Sequence, residues 1–129
     1  MNRLTPEQAR AKLVEALRSG EYVQARDSLR NEDRYCCLGV ACDLYRQEEG
    51  GPDWDHYKAR WSYMGTSHNL PERVRRWLDF KRNGGLLGEP FQRDSKLFES
   101  LLDMNDSGMS FAEIADVIED GKVALDSHD

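Results

Sequence analysis

Arg34-Tyr35-Cys36-Cys37-Leu38-Gly39-Val40-Ala41-Cys42-Asp43-Leu44 is the stretch on which the fold turns. From Cys37 to Gln47 the residues Val40, Ala41 and Leu44 recur at helical spacing, and Gly50-Gly51-Pro52 ends the run. Cys37 stands at the entrance of this helix. Upstream, Thr5-Pro6-Glu7-Gln8 reads as a capping box with proline at the first helical position. Ala9, Leu13, Ala16 and Leu17 then share one stripe, and Gly20 is a stop, which predicts a helix over about 6–19. Between these two helices Leu29 and Tyr35 flank the polar turn Asn31-Glu32-Asp33, a small hairpin signal.

Downstream, residues 54–63 alternate loosely between aromatic and polar side chains, which favours a strand or hairpin arm. Asn69 and Pro71 open a third helix, expected over 71–80, with Val74, Trp77 and Leu78 inward. Asn83-Gly84-Gly85 and Gly88-Glu89-Pro90 frame a loop. Asp94 or Ser95 then caps a fourth helix over 95–104, striped by Leu97, Leu101 and Met104. Ser110-Phe111-Ala112-Glu113 is a second capping box and starts a fifth helix ending near Gly121. Residues 122–129 read as a frayed acidic tail. The expectation is a mainly α domain (α+β in detail), residues 1–129, with about five helices around a small central hairpin or short sheet.

Of 129 residues, 39% are hydrophobic and 33% charged, enough to build one core. No apolar run is long enough to span a membrane, and the N-terminus lacks the apolar core of a signal peptide. Three cysteines within seven residues make no disulfide framework, so reduced thiols and a cytoplasmic location are expected. The net charge of −6 is unevenly spread: residues 51–93 hold eight Lys/Arg against five Asp/Glu, and residues 94–129 hold two against ten. The acidic C-terminal third argues against DNA binding. The middle segment carries seven of the twelve aromatic residues, which makes it the place to look for a ligand.

The Arg34–Leu44 stretch, the segment Asn69-Leu70-Pro71 through Trp77-Leu78, and Met104-Asn105-Asp106-Ser107-Gly108-Met109-Ser110-Phe111-Ala112-Glu113-Ile114-Ala115-Asp116-Val117-Ile118-Glu119 together resemble a family of small uncharacterised bacteriophage and bacterial proteins. The resemblance brings no catalytic residues. It implies a phage-type accessory protein working in a host cytoplasm, where proteins of this size often inhibit host enzymes or immune systems.

Cys37 at a helix entrance, with His68 or His56 as base, loosely resembles the nucleophile motif of NlpC/P60-type cysteine peptidases. The competing account makes Cys36, Cys37 and Cys42 small core residues. Zinc is disfavoured because adjacent Cys36 and Cys37 point apart and no paired-cysteine spacing occurs. Asp103, Asn105, Ser107 and Gly108 follow the first half of an EF-hand loop, but Ile114 replaces the closing bidentate glutamate. A helix–turn–helix reading of Ser110–Ala115 lacks room for a recognition helix. For an anionic, nucleotide-like ligand, Arg73, Arg75 and Arg76 would hold phosphate, and Trp54 or Trp61 would stack a base. The alternative there is a core role for the aromatics and a solvated helix face for the arginines.

The expected function is binding without catalysis or cofactor: inhibition of a host protein, or sequestration of a nucleotide-like signal. The alternatives are a small hydrolase using Cys37 and His68, and a minor phage assembly protein. The expected state is a monomer or homodimer, with no metal site and no membrane partner.

Overall fold

Thr5 opens the first helix in the way its sequence predicts. Its hydroxyl accepts from Gln8 N–H at 3.1 Å, and the Gln8 side chain accepts from Thr5 N–H at 2.9 Å. Helix α1 (Pro6–Ser19) follows and ends at Gly20, whose φ of 79° suits glycine. The computed structural model describes residues 2–128. Strands β1 (Val23–Gln24), β2 (Arg30–Asn31) and β3 (Arg34–Tyr35) form a sheet in the order β1-β3-β2. β1 runs parallel to β3, and β2 antiparallel to it.

Helix α2 (Cys37–Glu49) is the centre of the molecule, with every residue from Cys37 to Tyr45 buried. A helix that is apolar nearly all round must be covered on all sides. α1 covers one side of it, and the sheet turn carrying Leu29 presses on another. The closest approach is at Gly39, where an added Cβ would lie 1.8 Å from the Leu29 carbonyl oxygen. No side chain fits there.

β4 (Asp55–Tyr57) and β5 (Arg60–Ser62) form an antiparallel hairpin, as the alternation predicts. Helix α3 (Glu72–Leu78) is shorter than expected. Pro71 is its N-cap, and Asp79 leaves the helix at φ 60°. Fully buried Trp77 donates its Nε1–H to Glu49 at 2.7 Å, tying α3 to the end of α2.

The segment after α3 overturns two expectations. Residues 83–90 are not simply a loop, and residues 95–104 are not one helix. β6 (Leu86–Arg93) pairs antiparallel with β7 (Lys96–Ser100), and helix α4 (Leu101–Asp106) begins only at the Ser100 cap. Asp94 and Ser95 are the hairpin turn, at φ 49° and 69°, and cap no helix. Phe98 is buried while Leu97 is 55% exposed, an alternation of period two. α5 (Phe111–Glu119) starts at the predicted capping box and packs on α1.

The frayed tail also needs correction over the described residues. Val123 bridges Leu87 and Leu125 bridges Phe80, while Lys81 N–H donates to the Ala124 carbonyl at 2.9 Å. A short 3₁₀ turn, Asp126–His128, follows. The fold class is therefore α+β and not mainly α: among the described residues five helices stand beside three small sheets.

Candidate functional site

Cys37 does not face a cleft. It is 1% exposed, and its thiol donates to the Leu101 carbonyl at 3.7 Å. Burial pushes the Cys36 thiol up to about 12, and lifts those of Cys37 and Cys42 well above the ordinary range. A thiol held protonated inside a core is no nucleophile. His68 lies at the surface beside Ser67, with Oγ and Nδ1 3.0 Å apart, in a hollow that no cysteine lines. The Cys37–His68 pairing is thus not assembled, and the three cysteines pack as core residues.

The calcium reading fails at Asn105. Its side chain is completely buried and already engaged. Oδ1 accepts from Cys37 N–H at 3.1 Å and from Gln24 Nε2 at 2.9 Å, and Nδ2 donates to the Ala25 carbonyl at 2.8 Å. The asparagine of the C-terminal motif therefore caps the helix of the cysteine motif. Among the described residues no cluster of three or more His, Cys, Asp or Glu is placed to hold a metal ion.

The three arginines of α3 do not meet the two tryptophans. Arg75 is committed to structure, donating to Glu72 at 2.7 Å, Asp126 at 3.0 Å and the Phe80 carbonyl at 2.7 Å. Arg76 reaches Glu72 at 3.3 Å, and Arg73 lies 5.8 Å from the Tyr45 ring centre. Neither of the two hollows that Trp54 and Trp61 line contains any of these three arginines, so the structure does not assemble them into one site.

Trp54 and Trp61 do come together, around an arginine from another hairpin. The Arg30 guanidinium of β2 lies 3.7 Å from the Trp61 ring centre, 5.0 Å from Tyr35 and 5.4 Å from Trp54. His56, opposite Trp61 in the β4–β5 ladder, stacks on the same indole at 3.9 Å and 9°. Two groups this close cannot share one face, so the indole is sandwiched between guanidinium and imidazole. Arg30 Nε donates to the Glu32 carbonyl at 2.5 Å, and no carboxylate pairs with Arg30 among the described residues. The Trp61 Nε1–H is buried without an acceptor among the described residues.

Asp43 holds the aromatic wall behind Arg30. It is 5% exposed, yet its two oxygens take five hydrogen bonds. Tyr22 Oη–H donates at 2.7 Å, Gln47 Nε2 at 2.9 Å, Trp54 Nε1 at 3.1 Å, and Arg46 through Nε and Nη2 at 3.1 and 3.0 Å. Burial alone would raise its pKa, but the bonds from Tyr22, Trp54 and Arg46 outweigh it and hold the carboxyl below its ordinary value. Trp54 is thereby fixed, with its ring 5.0 Å from Tyr63 and 5.9 Å from Tyr35.

Two hollows open on either side of this wall, and Arg30 and Trp61 line both. The first, about 260 Å³, adds Ser28, Arg60, Ser67 and His68, and no acidic side chain lines it. The second, about 290 Å³, adds Tyr35, Trp54, Arg46 and Asp53, with Asp43 at its back. Trp54 and Trp61 were legible as candidates from composition. Arg30 and Asp43 were not, because their roles depend on how two hairpins and α2 meet. The one available signal was Asp43, an acid inside an otherwise apolar helical run.

The Asn105 tie joins the cysteine motif noted in the sequence to the C-terminal motif. No curated protein and no solved structure matches the chain. A family model does, over residues 6–122, described as a domain of unknown function, DUF8296. Because that match takes in both motifs and every residue of the cleft, the chain belongs to the DUF8296 family.

Proposed function

We propose that this protein is a phage-type accessory factor that acts in the host cytoplasm by binding a nucleotide-like anion in the Arg30–Trp61 cleft, without catalysis. The observation that carries the reading is the Arg30 guanidinium. It is stacked 3.7 Å from Trp61, oriented by the Glu32 carbonyl, and has no carboxylate partner among the described residues. A stacked guanidinium has lost its freedom before a ligand arrives, and its remaining N–H donors suit phosphate. The burial of all three thiols removes the hydrolase alternative's nucleophile. No helix among the described residues is long and apolar enough to cross a membrane.

Native mass spectrometry of the protein purified from its host tests this directly. A stoichiometric small mass that is lost in Arg30→Ala supports the reading. A bare chain whose tryptophan fluorescence ignores a panel of nucleotides overturns it.

A second reading, capture of a host protein, has one observation in its favour. Tyr57 is 75% exposed at a hairpin tip next to Lys58, Ala59 and Arg60. Tyrosine and arginine dominate binding energy in protein interfaces. A single host protein that co-purifies with the wild type and is lost in Tyr57→Ala would favour it.

A further inference from the structure

The two hollows differ in what they offer a ligand. The first presents donors: Arg30, Arg60, His68 and the hydroxyls of Ser28 and Ser67. Ser28 Oγ makes one long bond, to the Arg30 carbonyl at 3.3 Å, and Arg60 has no ion pair among the described residues. The second presents aromatic rings, a carboxylate acceptor and Arg46, which is paired with Asp43. Its wall is Tyr35 and Trp54, and Asp53 stands at the rim with no hydrogen bond among the described residues. The Trp61 N–H is buried between the two hollows with no acceptor among the described residues.

Resting on the binding reading above, we infer that the cleft takes its ligand in one orientation. A phosphate monoester sits in the hollow of Ser28, Arg30, Arg60, Ser67 and His68. An aromatic base lies against Tyr35 and Trp54, with its exocyclic amino group toward Asp53. The Arg30–Trp61 wall is shared, so sugar and phosphate cross it between the hollows. A doubly charged phosphate matches two guanidiniums and two hydroxyls, whereas in the second hollow Arg46 is already paired with Asp43 and Asp53 adds a further carboxylate. Aromatic stacking on the second hollow is tolerant of base identity, so the amino group sets any preference.

Isothermal titration with the four common ribonucleoside 5′-monophosphates, their nucleosides and inorganic phosphate tests the orientation. The variants are Arg60→Ala, His68→Ala and Asp53→Ala, all at exposed positions that the fold does not need. Arg60→Ala is expected to weaken the best monophosphate about tenfold, the loss of one charge-assisted contact, while leaving its nucleoside unchanged. Asp53→Ala is expected to weaken monophosphate and nucleoside alike and to leave inorganic phosphate unchanged. If a monophosphate binds but Arg60→Ala and His68→Ala do not weaken it, the orientation is wrong while the binding reading stands. The same holds if Asp53→Ala weakens inorganic phosphate, or if inorganic phosphate binds as tightly as every monophosphate. If no probe binds the wild type, both fall together.

Discussion

Asp43 concentrates more of the molecule's chemistry than any other residue. An acid in the most buried helix is costly to hold unless every lone pair is used. Here five donors from Tyr22, Arg46, Gln47 and Trp54 use them, and the same bonds aim the aromatic wall of the cleft. Asp43→Asn keeps the shape but removes the charge and turns one oxygen into a donor facing donors. It is expected to cost about 3 kcal/mol in urea denaturation at pH 7. The pH dependence has a definite sign. The folded-state carboxyl titrates below its ordinary value, so its contribution is complete above about pH 4 and fades as the pH falls through the folded-state value. Wild type should therefore lose stability on acidification more steeply than Asp43→Asn. Parallel acid limbs for the two proteins would show that Asp43 is not ionised in the fold.

At the scale of elements, the sequence was legible wherever a local rule decides alone. Both capping boxes, Thr5 with Gln8 and Ser110 with Glu113, mark the helix starts observed. The turns around Asn31-Glu32-Asp33 and at the β4–β5 hairpin also lie where polar residues interrupt aromatic ones. The failure at 86–104 has a physical cause. Leu97, Leu101 and Met104 have helical spacing, yet the first belongs to β7 and the others to α4, so two elements together mimic one stripe. Asp94-Ser95 looked like a cap because both residue types cap helices, while the φ > 0 pair that makes a two-residue hairpin turn is usually advertised by Asn-Gly. That mismatch yields a prediction. Replacing Asp94-Ser95 by Asn-Gly relieves two side chains held at positive φ, and should raise stability by about 1 kcal/mol in urea melts. A loss of stability would mean that the turn side chains make contacts this fold does not contain.

At the scale of the whole molecule, closure depends on segments far apart in sequence. Arg18 of α1 reaches Asp116 at 2.6 Å and Glu119 at 3.0 Å on α5, so the first and last helices are tied by charge as well as by packing. Beyond α5 the chain turns back to bridge Leu87 of β6 and Phe80 after α3, and Gly88 N–H donates to the Lys122 carbonyl at 2.8 Å. Composition hid this, because the charged and polar residues among the last eight, Lys122, Asp126, Ser127, His128 and Asp129, outweigh Val123 and Leu125 in any average. Removing residues 122–129 takes away buried Val123, part of Leu125, and five backbone bonds, to Asp79, Lys81, Leu86, Gly88 and Val117. One buried valine, half a leucine and only two of those bonds already sum to a loss of about 4 kcal/mol. Most of a small domain's stability is on that order, so the truncated chain should unfold near room temperature while Asp126→Ala and Ser127→Ala do not. Circular dichroism melts of the truncation and of Val123→Ala separate the causes. Val123→Ala should lose about half as much, as a cavity beside Leu87. A truncated chain that melts with the wild type would mean that residues 122–128 do not close the sheet in solution, and that β6 is held by β7 alone.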